Sequence, residues 1–278
     1  MVVLHLLLVK EFPIARGNEY GLFGRLSASG EWTLSEKRYY IQIKIFSDIC
    51  VFKPTTSRMN SHREPASAVA SGLLAVTAWF GVLLQLWLSV RLVLANGQPV
   101  ITGLVAFFGY FTVLTNIFVA LVCTAGALSQ RARGRLLLYR LPFVGCSTAA
   151  ILVVGIGYHA LLREIWDPRG AQWVADVVLH YVVPAGALLH WLVYRYDDRA
   201  VWWTPLSWCW YPLVYFVYVM VRGEILSSYP YPFIDVLTLG YTRTVVNAVG
   251  FLIGFVVLGF TLLGLSSLVS RLKCDSRH

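Results

Sequence analysis

Six apolar runs, at about 66–90, 102–128, 141–162, 174–194, 205–221 and 244–270, decide what this chain can fold into. A helix needs about twenty consecutive apolar residues to cross ~30 Å of hydrocarbon. Within hydrocarbon every backbone N–H and C=O must be satisfied by the protein itself, which leaves helices and closed barrels. The runs lack the alternation of a barrel strand, so the expected class is all-α, a polytopic transmembrane bundle of six helices. The fifth run is the shortest. Composition agrees, with 58% hydrophobic and 13% charged residues, against roughly 45–50% and about 25% in an ordinary soluble domain.

The net charge of +9 does not point to nucleic acid, because the basic residues occupy short loops and tails between the runs. They report orientation instead, since Lys and Arg concentrate on the cytoplasmic side. With both termini in the cytoplasm, Arg58, Arg63, Arg131, Arg133, Arg135, Arg140, Arg195, Arg199, Arg271, Lys273 and Arg277 lie inside. Only Arg91, Arg163, Arg169, Arg222 and Arg243 lie outside. Aromatic belts fit the same orientation, with Trp191, Trp202, Trp203, Trp208 and Trp210 at the inner boundary and Trp87, Trp166 and Trp173 at the outer one. The five cysteines show no metal-like spacing, and Cys123, Cys146 and Cys209 read as small membrane-embedded hydrophobes.

Residues 1–58 differ from the rest, holding four of the five lysines and an apolar start, VVLHLLLV, too short to span. Tyr39–Phe52 has strand-like residues but no partner strand. The expectation is a poorly ordered N-terminal extension, with Met59 as a second, better start, followed by one six-span membrane domain at 59–278.

The runs are not uniformly apolar. Val174–Tyr194 carries Asp176 and His180 four residues apart, hence on one helical face. Ionisable groups at such depth are costly and are functional candidates. The expected topology gathers other polar residues in the same outer half. At ~1.5 Å per residue, Thr112 lies roughly 15 Å down and His180 about 9 Å down, with Thr115 and Asn116 a turn beyond Thr112. His159, Tyr218 and Arg222 end their runs at that level, below the outer loops Arg163–Trp173 and Arg222–Asp235.

Chemically, a Thr hydroxyl becomes a nucleophile when a base takes its proton, and neutral imidazole is the usual base. Thr112 or Thr115 with His180 supplies both parts, and Asp176 would orient the imidazole. The expected reaction is nucleophilic hydrolysis, with Thr115, Asn116, His159, Tyr218 and Arg222 around the substrate. Quieter readings stand beside it. Thr112 and Thr115 would bond to a carbonyl one turn back, Asn116 would join helices, and the arginines would snorkel to the interface. His190 is expected at the boundary, and Tyr229–Phe233 as a rigid loop shaping the outer surface.

The same pocket equally suits a carrier or binder of a small or lipid-like ligand without covalent chemistry, or a scaffold whose polar groups only join helices. A channel fits least, since the polar groups do not continue inward. Membrane lipids and a ligand from the outer leaflet are the expected partners. No cofactor is expected: the chain has no Gly-rich phosphate loop or dinucleotide fingerprint, and no H-E-x-x-H to make zinc ligands of His159, His180 and Asp176.

From about Arg58 onward the chain resembles the bacterial membrane-protein family called Pr6Pr, through FGYFTVLTNIFVALV, LHYVVPAG, the IWDP loop and YPYPFIDV. The resemblance covers nearly all of the residues after Met59 and implies a multi-pass protein of the bacterial cytoplasmic (inner) membrane. The same blocks are more distantly similar to the eukaryotic androgen-induced, FAR-17a-type membrane proteins, which are threonine hydrolases of lipid esters. That similarity implies Thr112 as the nucleophile and His180, ahead of Pro184, as its partner, with Tyr231-Pro232-Phe233 and Asp235 as a later block.

Overall fold

The computed structural model describes residues 63–129, 136–194 and 201–275. The expected extension, residues 1–58, lies outside the described residues. The described residues are predominantly helical, with no strand among them. In chain order they form α1 (Arg63–Ala95), α2 (Val100–Gly109), α3 (Phe111–Leu128), a 3-10 turn (Leu137–Tyr139) and α4 (Leu141–Gly157), which continues as a π-helical turn (Tyr158–Leu162). Next come α5 (Ala171–Val177), a second π-helical turn (Val178–Val182), α6 (Val183–Val193), the short α7 (Thr204–Ser207), α8 (Trp210–Leu226), a 3-10 turn (Pro232–Ile234) and α9 (Val236–Asp275).

Among the described residues, five stretches are long and apolar enough to cross a membrane: Ala66–Ala95, Phe111–Leu128, Leu141–Leu162, Ala171–Val193 and Val236–Val269. The 17-residue α8 stands where the fifth and shortest apolar run was read. The second run is not continuous as expected. It breaks at Tyr110, whose φ of −86° and ψ of 129° are extended, so α2 and α3 are separate helices.

A helix end leaves its last carbonyls without partners, and α8 supplies donors to those of α2. Tyr215 donates to the Gly109 carbonyl at 3.0 Å, Tyr218 to Phe108 at 3.2 Å, and Arg222 Nη2 to Val105 at 3.4 Å. Residues 215, 218 and 222 share one helical face, and a cation at a helix C-terminus also meets the favourable end of its dipole. The close approach needs Gly109, where an added Cβ would lie 3.0 Å from the Arg222 guanidinium. Near its start, α9 breaks at Gly240, whose φ of 72° and ψ of 162° suit glycine.

Packing relies on small residues where helices meet. One buried cluster joins Cys146, Ala149 and Ala150 of α4 to Trp191, Trp208 and Phe255. Lipid tails are as apolar as side chains, so association in hydrocarbon depends on such close packing. An added Cβ at Gly145 would lie 2.1 Å from the Trp208 ring. Trp191 and Trp208 are therefore core residues rather than belt residues, with Trp208 0% exposed, whereas Trp202, Trp203 and Trp210 are exposed as a belt requires.

His190 also departs from its expected boundary position, being only 6% exposed. Its Nε2 lies 2.9 Å from Ser71 Oγ, and Ser71 donates to the Tyr139 hydroxyl at 3.2 Å. On the same helix, Tyr194 donates to the Ala66 carbonyl and Trp191 Nε1 to that of Leu262. The start of α1 and the later part of α9 thus meet the same end of α6.

Candidate functional site

The break at Tyr110 also exposes the N-terminus of α3, and this end opens into a cavity of about 210 Å³. Its walls come from α3, the end of α4, α8, the Pro232–Ile234 turn and α9, and include Phe111, Thr112, Tyr158, Phe216, Tyr231 and Phe251. No charged side chain lines it. Leu213 of α8 and Val245 and Val249 of α9 also line it while remaining 48%, 49% and 49% exposed, so the cavity meets the apolar outer face between these helices.

Two lining hydroxyls face each other. Tyr231 accepts the Thr112 backbone N–H at 3.3 Å and shares a hydrogen bond with Thr112 Oγ1 at 3.4 Å. Tyr231 therefore does for α3 what a capping side chain does, satisfying an N–H group that a helix start leaves free. Burial pushes its phenol up to about 12, outweighing the opposing hydrogen bonds from Thr112, so it remains a neutral donor. Tyr231 stacks on Phe233 at 5.1 Å between ring centroids, and Phe233 on Phe251 at 4.9 Å. Asn247 anchors the turn by donating to the Phe233 carbonyl at 2.8 Å. The Tyr-Pro block is thus not a surface loop only, because Tyr231 and Ile234 are buried and the block forms the cavity wall.

The acid and imidazole pair lies beside another lining residue, Tyr158. His180 is in the second π-helical turn, a distortion frequent at functional sites. Its Nδ1 lies 3.3 Å from Asp176 Oδ1 and 3.0 Å from the Asp176 carbonyl. The carboxylate and imidazole side chains are 6% and 13% exposed. The Tyr158 ring stacks on His180 at 3.9 Å between centroids. Tyr158 lines the cavity, whereas His180 and Asp176 do not.

Thr112 and His180 thus have different partners, Tyr231 for one and Asp176 with Tyr158 for the other. Their segments nevertheless pack together. Asn116, fully buried, donates to the Thr112 carbonyl at 2.8 Å and to that of Leu179 at 3.3 Å. Thr115, also buried, shares a hydrogen bond with Tyr211 at 3.1 Å rather than with its own helix. His159 is exposed and shares one with Tyr181 at 3.3 Å. Tyr218 and Arg222 cap α2, and Arg222 Nη1 also donates to the Ser228 carbonyl. None of these last five residues lines the cavity. Among the described residues no group of three His, Cys, Asp or Glu side chains converges to hold a metal ion.

The sequence marks Tyr231 only as part of the Tyr231-Pro232-Phe233 block and gives Tyr158 no role. The available signals were the position of Tyr158 beside His159 and the two prolines that hold Tyr231 in a turn.

The fold defines a class: all-helical, with five helices of membrane-crossing length and composition, compatible with a multi-pass membrane protein. No family model, curated protein or solved structure matches the chain.

Proposed function

We propose that this multi-pass membrane protein binds a lipid-like molecule in the cavity beside Thr112 and Tyr231, admitting it from the bilayer between α8 and α9. The observation that carries this reading is a mostly apolar cavity whose lining is continuous with an exposed apolar face. Ligand pockets are commonly apolar with a few placed polar groups. Six crossings, with α8 as the fifth and both termini cytoplasmic, accord with the basic loop residues and with the shared end of α1 and α9. The test is saturable binding of a radiolabelled long-chain alcohol to the purified full chain, compared with Gly157→Leu. Gly157 lines the cavity, where an added Cβ would meet only Phe251 at 3.7 Å, so Leu fills space there. The expected result is saturable binding lost in Gly157→Leu while the ligand-free melting temperature holds. Equal binding in both proteins rejects the site.

A second reading is favoured by the Asp176–His180 pair, with Thr112 facing the cavity. In it, Thr112 Oγ1 adds to the ester carbonyl as His180 takes its proton; the ester C–O bond breaks and the alcohol leaves with that proton, and water then hydrolyses the acyl-threonine to the free acid while Asp176 holds the imidazole. The block similarity to FAR-17a-type hydrolases supports the same roles. It requires Tyr158 to move so that His180 reaches the cavity, because the two residues share no hydrogen bond. Release of fatty acid from long-chain esters, lost in both Thr112→Val and His180→Ala, is the expected outcome; turnover that survives both rejects it.

A further inference from the structure

We infer that the cavity selects an uncharged lipid-like molecule whose polar end is a single hydroxyl or ester-type carbonyl, held by the hydroxyls of Thr112 and Tyr231. This rests on the binding reading above.

Four lining residues carry hydroxyls: Thr112, Tyr158, Tyr215 and Tyr231. Tyr215 already donates to the Gly109 carbonyl, and the Tyr158 ring is stacked on His180, away from the α3 N-terminus. That leaves the Thr112–Tyr231 pair. Their mutual distance of 3.4 Å is long for O–H···O, since such bonds favour about 2.7–2.8 Å. A ligand oxygen offering better geometry can replace that contact without leaving a strong bond broken. The Tyr231 oxygen is occupied by the Thr112 backbone N–H, so its hydrogen is the group left to donate. A hydroxyl or carbonyl oxygen can accept it.

Charge is disfavoured at the same place. A carboxylate or phosphate entering an apolar cavity loses its hydration, and that cost is recovered only with a countercharge and full hydrogen bonding. The lining holds no Lys, Arg or His. The guanidinium on α8, Arg222, is engaged with the Val105 and Ser228 carbonyls and lies outside the lining. The partial positive charge at the α3 N-terminus favours an anion, but the Thr112 N–H is already donated to Tyr231. A pure alkane fits the walls yet leaves the hydroxyl pair unused.

The experiment displaces radiolabelled dodecanol from the purified full chain with dodecanol, methyl dodecanoate, dodecane and dodecanoate, at a pH where the last is ionised. Dodecanol cannot be cleaved as an ester, so its arm does not depend on turnover. The expected result is that dodecanol and methyl dodecanoate displace at about tenfold lower concentration than dodecane or dodecanoate, the scale of one hydrogen bond. Tyr231→Phe then removes that preference, and Thr112→Val serves as the second variant should Tyr231→Phe fail to fold. Dodecanoate matching dodecanol, or a preference surviving in the variants, overturns the inference and leaves the binding reading standing. Absence of saturable dodecanol binding overturns both.

Discussion

At the residue scale, the site turns on a hydroxyl that two prolines hold in place. Tyr231 completes the start of α3, so Tyr231→Phe is expected to remove about 1 kcal/mol of stability, the net worth of a typical hydrogen bond. A lower midpoint in thermal or denaturant unfolding in detergent checks this; an unchanged midpoint means that the 3.3 Å contact contributes nothing. Alkaline pH provides a second check. The Tyr231 phenol is raised to about 12, against about 10 in an unfolded chain. The folded protein therefore holds its proton where the unfolded chain releases it, and this contribution is full below about pH 10 and declines as pH rises toward about 12. The alkaline loss of stability is expected to be smaller in Tyr231→Phe than in the parent chain. Asp176, His180 and Thr112 were legible in the sequence because polar groups stand out in apolar runs. Tyr231 was visible only as part of the Tyr231-Pro232-Phe233 block and Tyr158 not at all, because tyrosine is at home in membrane-interface belts and its amphipathic ring hides a specific role.

At the scale of elements, periodicity located the helices but not their interruptions. The break at Tyr110 occurs inside an apolar run, and its unpaired carbonyls are met by Tyr215, Tyr218 and Arg222, about a hundred residues later in the chain. Nothing local announces a partner so distant. The same contacts give Tyr218 and Arg222 a task in holding the end of α2 that the sequence did not announce. The double variant Tyr218→Phe with Arg222→Met is expected to speed amide hydrogen exchange in α2, Val100–Gly109, with much smaller change in α4; equal change in both helices would contradict the capping account. The Gly145–Trp208 contact gives a harsher test. Gly145→Ala overpacks a buried ring, which typically costs about 1–3 kcal/mol, and its melting temperature is expected to fall. A neutral outcome would mean that α4 and α7 separate freely.

At the scale of the whole molecule, the apolar runs carried the class with little ambiguity, because hydrocarbon permits so few backbone solutions. The cavity was not legible, since it arises where α3, α4, α8 and α9 meet around the Tyr-Pro block. Topology is checked by single cysteines in a cysteine-free background. Asn96→Cys and Ser228→Cys are expected to label from outside the cell, with Leu137→Cys labelling only from inside; labelling of Asn96→Cys and Ser228→Cys from opposite faces refutes six crossings. The central claim concerns the cavity, and photolabelling tests it most directly. A long-chain alcohol with a terminal diazirine would be irradiated with the full chain in lipid vesicles, and the adducts mapped by mass spectrometry. The account predicts adducts concentrated at Phe216, Val249 and Phe251 and suppressed by excess dodecanol. Adducts spread evenly over lipid-facing residues such as Val69 and Ile101, and insensitive to competitor, would contradict it.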